Sequence, residues 1–476
     1  MNIESNDLPS APARPVQPWR HVAWLAIVVL VIWQGIISFH ENEHPSKRAD
    51  KDRPSDFKAF YGAGLLALRG QNIYDYKSSG ISRRPYLYPP TFAVLPMMPL
   101  ALLPYNTALV IFILMNYALL FGLFWLLRDA LWRLVPQTAP PLETSLWMQW
   151  LRHPDSGLML AGVVCLRYVV SNLRHSNANM YIAFSIGLGL WLMLQHGKAL
   201  LEFSSGVAIA LGTAIKVTPG LFGLYLLWTW RKWGMLGGAL GLLLFVLLIP
   251  AVPMGFSGAI ARLSEYKNHI ASATTGENAE EDPIGHEGGA DQKQLEGGMS
   301  LRGIWMRYLT PRPMGYLDKD KKMKYSYANF VTLPEGTARN LCHVGELILL
   351  GITVYLTSRK VARTDPAGIA LSWALTSTAM LLISPLTRKA HLCAFLISAV
   401  VTIALMQQDR IRGRVRTFCI IALATICLEG AVFSVEIIGT LNSNWLQGMG
   451  AGFWMLLAAF ASMSLALWKL EPSKVS

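Results

Sequence analysis

Residues 203–230 read FSSGVAIALGTAIKVTPGLFGLYLLWTW, with Lys198 shortly before them and Arg231-Lys232 directly after. Basic residues on short connections mark the side that a connection occupies, so both ends of this stretch belong on one face of a membrane. The stretch is then either a hairpin or one tilted helix with a misplaced neighbour. The hairpin fits Ile215-Lys216-Val217-Thr218-Pro219-Gly220, where proline and glycine can end one helix and start the next. Lys216 falls at the tip of two short helices. Broken backbone at membrane depth is tolerated only where it is buried in protein or lines a wet cavity, so Lys216 is expected to face a cavity.

The same reading extends along the chain. Of its 476 residues, 53% are hydrophobic and only 15% charged. Apolar runs long enough to cross a bilayer occur near 20–39, 104–127, 157–171, 180–196, 203–215, 218–230, 234–252, 341–358, 366–383, 391–406, 414–437 and 446–468. The expected fold is therefore a single all-α polytopic membrane domain over 1–476, with about twelve transmembrane helices, several of them short. The first run follows Arg14 and Arg20 and lacks a small-residue cleavage site, which reads as a retained helix.

Four basic groups share one side: Lys198; Arg231 and Lys232; Arg359, Lys360 and Arg363; and Arg410, Arg412, Arg414 and Arg416. They place both termini in the cytoplasm and make the chain a multi-pass protein of the cell membrane. Two long segments, 40–103 and 253–340, and the turns 172–179, 384–390 and 438–445 fall on the extracytoplasmic side. Long loops do not set orientation, so their own basic residues do not reverse the assignment.

The first long segment carries Phe57, Phe60, Tyr61, Gly64, Leu65 and Leu68 at helical spacing, which predicts a helix lying in the membrane interface. Ser55 or Asp56 stands at its N-terminus, where helix-end amides favour a carboxylate. A carboxylate at the membrane rim is costly unless solvated or paired, which marks Asp56 as a reaction-centre candidate. In the second segment, 277–296 is acidic and glycine-rich and is expected to be mobile, whereas Gly298 to Arg307 is expected to be ordered. The acids lack the order of an EF-hand loop, so a solvated loop is favoured over a calcium site.

The net charge of +13 is scattered between spans, as orientation signals are, and does not form a nucleic-acid footprint. The five cysteines lie in or beside apolar runs without metal-ligand spacing, which argues against a zinc site and a disulfide framework.

Asp56-Phe57 with Gly70 and Tyr74, Tyr88-Pro89-Pro90, Asn177, Lys216-Val217-Thr218-Pro219, Ser300-Leu301-x-Gly303 and Ser384-Pro385 occur as an ordered set. From about residue 55 to 400 that set resembles glycosyltransferase family 87, the polyprenyl-phosphate-mannose-dependent α-1,2-mannosyltransferases. The resemblance implies a GT-C type membrane fold and an extracytoplasmic active site. It also implies transfer from a polyprenyl-phosphate-sugar donor, mannose being the family's sugar, to a glycan or glycolipid acceptor with inversion. Asp56 matches the family's expected general base, and Tyr88 and Asn177 are substrate-binding candidates on the same grounds. The chain departs from the family at Gly298-Met299, at Arg174-His175-Ser176-Asn177 and at Arg388-Lys389-Ala390-His391.

Glycosyl transfer from a lipid phosphate needs a base for the acceptor hydroxyl and a cation for the departing phosphate. Asp56 is placed for the first role, with helix capping as its plain alternative. Lys216, His391, Arg388, Lys389, Arg174 and His175 lie on three outer turns that can converge on one phosphate. Side chains can hold such a phosphate without a metal or other cofactor. Their alternative is snorkelling to lipid headgroups. Ser300, Arg302 and Arg307 either touch substrate or belong to a short amphipathic helix on the membrane surface. The competing functions are a transporter or flippase of a lipid-linked or anionic substrate, a lipid-linked oligosaccharide ligase or polymerase, and a non-catalytic scaffold. A transporter would favour internal repeats and buried mid-membrane charges, and neither a clear repeat nor an acidic pair inside a span stands out.

Overall fold

The computed structural model describes residues 56–82, 85–134, 153–195, 198–275, 298–311, 313–317, 323–385, 387–433 and 435–472. The expected span at 20–39 and the acidic stretch 277–296 lie outside the described residues. Among the described residues, the regular structure is helical except for one short ribbon. In order come α1 (Asp56–Leu68), α2 (Pro90–Leu100), α3 (Tyr105–Leu134), α4 (Pro154–Arg174), α5 (Asn179–Met193), α6 (Ala199–Ile215), α7 (Gly220–Trp228) and α8 (Lys232–Asn268). Then follow α9 (Leu301–Leu309), the antiparallel strands β1 (Pro313–Leu317) and β2 (Met323–Tyr327), α10 (Glu335–Thr357), α11 (Lys360–Thr364) and α12 (Pro366–Ile383). The chain closes with α13 (Lys389–Gln407), α14 (Gly413–Ala431), α15 (Val435–Gly448) and α16 (Ala451–Lys469).

Seven of the described helices, α3, α4, α8, α10, α12, α13 and α16, are long and apolar enough to cross a membrane. The protein is thus a polytopic helical membrane protein. The hairpin anticipated at 215–220 is present, because α6 stops at Ile215 and α7 starts at Gly220. Its arms are only 17 and 9 residues long. Both fall short of the ~20 residues needed for a full crossing.

The bundle is built around α12 and α13, which are 89% and 83% buried across their apolar windows, whereas α8 is only 17% buried. Along α8, Leu236, Leu240, Leu244, Leu248 and Val252 stay exposed at helical spacing. In a bilayer such a surface faces lipid, so its exposure carries no penalty.

The two ends of the bundle separate as the charge pattern requires. At one end Arg231 donates to the Arg363 carbonyl (2.5 Å), Arg410 pairs with Asp365 (3.1 Å) and Arg359 donates to the Leu467 carbonyl (2.7 Å). These residues come from, or lie beside, the basic connections. At the other end the turns after α4, α6 and α12 meet α1 and the segment before α9, with Met299 N–H donating to the Thr387 carbonyl (2.7 Å).

One expectation changes. α1 is covered on more than the single apolar face read from its spacing. Phe57, Phe60, Tyr61, Ala63, Leu66 and Ala67 are all buried, because α2 and α3 enclose it and the Phe57 and Phe112 rings lie 5.1 Å apart. Near the boundary expected at 253, Pro253 and the non-helical Gly255 (φ 70°) kink α8 and divide it into two helical stretches. The π turn over Leu243–Leu248 frees carbonyls from the usual ladder, and the Thr91 hydroxyl donates to one of them, Phe245 O, at 2.8 Å.

Where α6 crosses α8 the backbones touch. A Cβ on Gly237 would stand 2.0 Å from Phe203 O, and one on Gly206 would stand 2.0 Å from Gly234 O. Such small-residue contacts allow close helix approach in membranes. Gly237→Ala is expected to cost about 1–3 kcal/mol through forced separation of the helices. A thermal melt in detergent reads this directly, and an unshifted midpoint would contradict the close contact.

Candidate active site

Asp56 opens α1, and its backbone N–H donates to the His175 carbonyl at 3.3 Å. The delivering turn is a helix C-terminus. Ser176 N–H reaches Leu173 O (3.0 Å) and Asn177 N–H reaches Asn172 O (3.2 Å), a Schellman closure of α4. Its left-handed position is filled by Ser176 (φ 47°) where glycine is usual. That tight reversal swings Asn177 back over α1. There the Asn177 Nδ2 donates to Asp56 Oδ2, and the Tyr88 hydroxyl donates to Asn177 Oδ1 at 3.2 Å.

The cationic half comes from two other turns. Lys216 follows the last residue of α6 with an extended backbone (φ −152°, ψ 132°). Its Nζ stands 2.8 Å from His391 Nε2 and 5.9 Å from the centre of the Tyr88 ring. His391 is oriented by the Arg388 backbone N–H, which donates to Nδ1 at 2.9 Å and leaves Nε2 toward the lysine. Burial lowers the Lys216 ammonium to about 8, and Arg388 adds to the effect, while Asp56 opposes it. Burial likewise pushes the Tyr88 phenol up, with the Asp56 charge contributing, so Tyr88 stays a neutral donor.

Asp56, Asn177, Tyr88, Lys216 and His391 thus form one unbroken chain of contacts from a carboxylate to a cation. Beside the lysine lies a cavity of about 20 Å³ lined by Asn179, Thr218, Ser384, Thr387 and His391. That is room for roughly one water. A larger groove of about 770 Å³ runs past Leu347, Val354, Tyr355 and Arg359, near the opposite end of the bundle. It is apolar, and among the described residues no acid lines it.

The other expected site residues distribute around this chain. Arg174 ends α4, and the exposed His175 donates from Nδ1 to the Ser171 carbonyl at 2.7 Å. Arg388 is exposed beside His391. Lys389 instead pairs with the buried Glu429 at 3.2 Å. Ser300 is fully buried, caps α9 by accepting from Gly303 N–H (3.2 Å) and donates to the Pro385 carbonyl (3.3 Å). Arg307 is also buried and donates to the Gly298 carbonyl at 2.8 Å. Arg302 is partly exposed on the same helix.

Two participants carry no role in the sequence reading. Tyr74 donates to the Tyr88 carbonyl at 3.0 Å and steadies that loop, although it stands among the quoted motif residues. Glu429 was passed over, yet a lone acid inside an apolar run is itself a signal of a buried partner.

Residues 86–281 match the family model described as glycosyltransferase family 87. The matched segment contains Tyr88, Asn177 and Lys216, while Asp56, Ser300 and His391 lie outside it. No curated protein and no solved structure matches the chain. The family match supports a glycosyltransferase.

Proposed function

We propose, from the match of residues 86–281 to the model of glycosyltransferase family 87, that the chain is an inverting enzyme that takes its sugar, mannose by family, from a polyprenyl-phosphate donor. The acceptor is a hydroxyl of a glycan or glycolipid on the extracytoplasmic side. The observation that carries this reading is the contact chain joining Asp56 to Lys216 and His391 through Asn177 and Tyr88.

In this reading Asp56 removes the acceptor hydroxyl proton as the acceptor oxygen bonds to the anomeric carbon. The bond from that carbon to the phosphate oxygen breaks, and its electron pair leaves with the polyprenyl phosphate. Asn177 holds the carboxylate in place by donating to one oxygen, leaving the other for the proton. Lys216, His391 and Arg388 supply donors where the phosphate charge grows, in a site largely shielded from water. One carboxylate suffices for inversion because the attack comes from the face opposite the leaving group. Arg174 and His175 border the Asp56 side, and Arg302 is the α9 side chain assigned to substrate contact. Ser300 and Arg307 support it by capping and anchoring α9.

Purified protein in detergent, given radiolabelled polyprenyl-phosphate-mannose and candidate acceptors, is expected to release polyprenyl phosphate and label the acceptor. Absence of transfer with every lipid-linked sugar would remove the reading. Sidedness has its own test. Lys77→Cys, on the exposed turn after α1, is expected to react with an impermeant thiol reagent on intact cells. Labelling only after lysis would invert the orientation.

A further inference from the structure

Lys389 lies between two site candidates, Arg388 and His391, yet its amine pairs with Glu429 of α14. Its Nζ stands 3.2 Å from Glu429 Oε1, in an ion pair that lacks hydrogen-bond alignment. Glu429 is 1% exposed on α14, and its other oxygen accepts from the Tyr168 hydroxyl of α4 at 2.8 Å. That hydroxyl also lies 2.8 Å from the Ile426 carbonyl. A carboxylate inside a membrane bundle is expensive unless paired, so these partners have a strong reason to stay together.

The pairing joins two parts of the site. Through Tyr168 the carboxylate grips α4, whose end supplies the His175 carbonyl and Asn177 that seat Asp56. Through Lys389 it grips the start of α13, whose next turn presents His391 to Lys216. We propose that Glu429 is a positioning residue for sugar transfer, clamping the base-bearing arm to the phosphate-bearing arm through Tyr168 and Lys389. The residue touches no substrate in this role. It sets the separation between the proton acceptor and the cations, which must span one sugar residue. The role rests on the glycosyltransferase reading for its kinetic consequence, but not for its geometric one.

Geometry is tested first, on the full chain in lipid nanodiscs. Spin labels at the exposed positions His175 and Arg388 report the distance between the arms. Glu429→Gln is expected to broaden that distribution, and Glu429→Asp to restore most of its sharpness. A distribution equally narrow in Glu429→Gln overturns the clamp, whether or not sugar transfer has been observed. Kinetics follow on unlabelled protein. Glu429→Gln is expected to lower kcat at least tenfold while the KM for donor changes less than threefold. The paired replacement Lys389→Met with Glu429→Leu removes both charges together, so it is expected to keep the wild-type melting midpoint and still show the low kcat. Recovery of wild-type kcat in that pair would refute the proposal, since packing alone would then serve.

Discussion

Asp56→Asn is expected to reduce sugar transfer by about 10²–10⁴-fold, the range for losing a general base. The substitution is nearly isosteric, and the new amide oxygen can still accept from Asn177 Nδ2, so the seat of α1 is retained. Donor binding is expected to stay close to wild type, because the proposed phosphate contacts of Lys216 and His391 lie beyond Tyr88. The loss therefore belongs in kcat. Measuring kcat and donor KM alongside a melting curve separates this from unfolding. Equal activity in the variant would take Asp56 out of the mechanism, and a collapsed melt would show that its role is to hold α1.

Lys216→Met is expected to lose about 10²–10³-fold in kcat/KM, the scale of one missing charge-stabilising donor in a shielded site. Wild-type protein offers a second view of the same group, because its ammonium is lowered from 10.5 to about 8. Between those two values the unfolded chain binds the proton and the folded chain does not. Folding stability should therefore rise as pH climbs from 8 to 10.5, by about 3 kcal/mol at most. Donor affinity should move the opposite way. A phosphate prefers the ammonium, so the donor dissociation constant should grow up to about tenfold per pH unit above 8. Parallel titrations of melting midpoint and donor binding check both signs. Lys216→Met should flatten both curves, and retained slopes would assign them to another group.

How far the site could be read in advance varies from residue to residue. Lys216 was placed at the tip of a broken hairpin by Pro219, Gly220 and the flanking cations, all of them local signals, and α6 and α7 part there. Asp56 stood out because its charge sits beside apolar helical spacing. Its partner did not stand out, since Asn177 lies 121 positions away. Lys216 and His391, separated by 175 positions, were expected on turns that converge, but their direct contact was not. The run Arg388 to His391 shows a finer failure. α13 begins as a 3₁₀ turn over Lys389–Ala394. With three residues per turn, positions 388 and 391 share one face and position 389 points elsewhere. Lys389 therefore reaches Glu429 while its neighbours stay with the site. Periodicity also predicted α1 as an interfacial helix. It could not register that α2 and α3 would cover the other face, which the Phe60 ring contact with Phe92 at 5.1 Å reflects.

By itself the sequence determined that this is a many-helix membrane protein with alternating connections and a broken hairpin at 215–220. Apolar run length, basic flanks and helix breakers act over a few residues, so they are readable without knowing what lies nearby. Tertiary structure alone decided which outer turns meet, that Asn177 and Tyr88 link the carboxylate to the lysine, and that Lys389 is claimed by Glu429. Those outcomes depend on helix rotation and packing between segments distant in the chain. A side chain's partner in such a bundle is whatever the neighbouring helices place within hydrogen-bonding reach, and no local pattern carries that information.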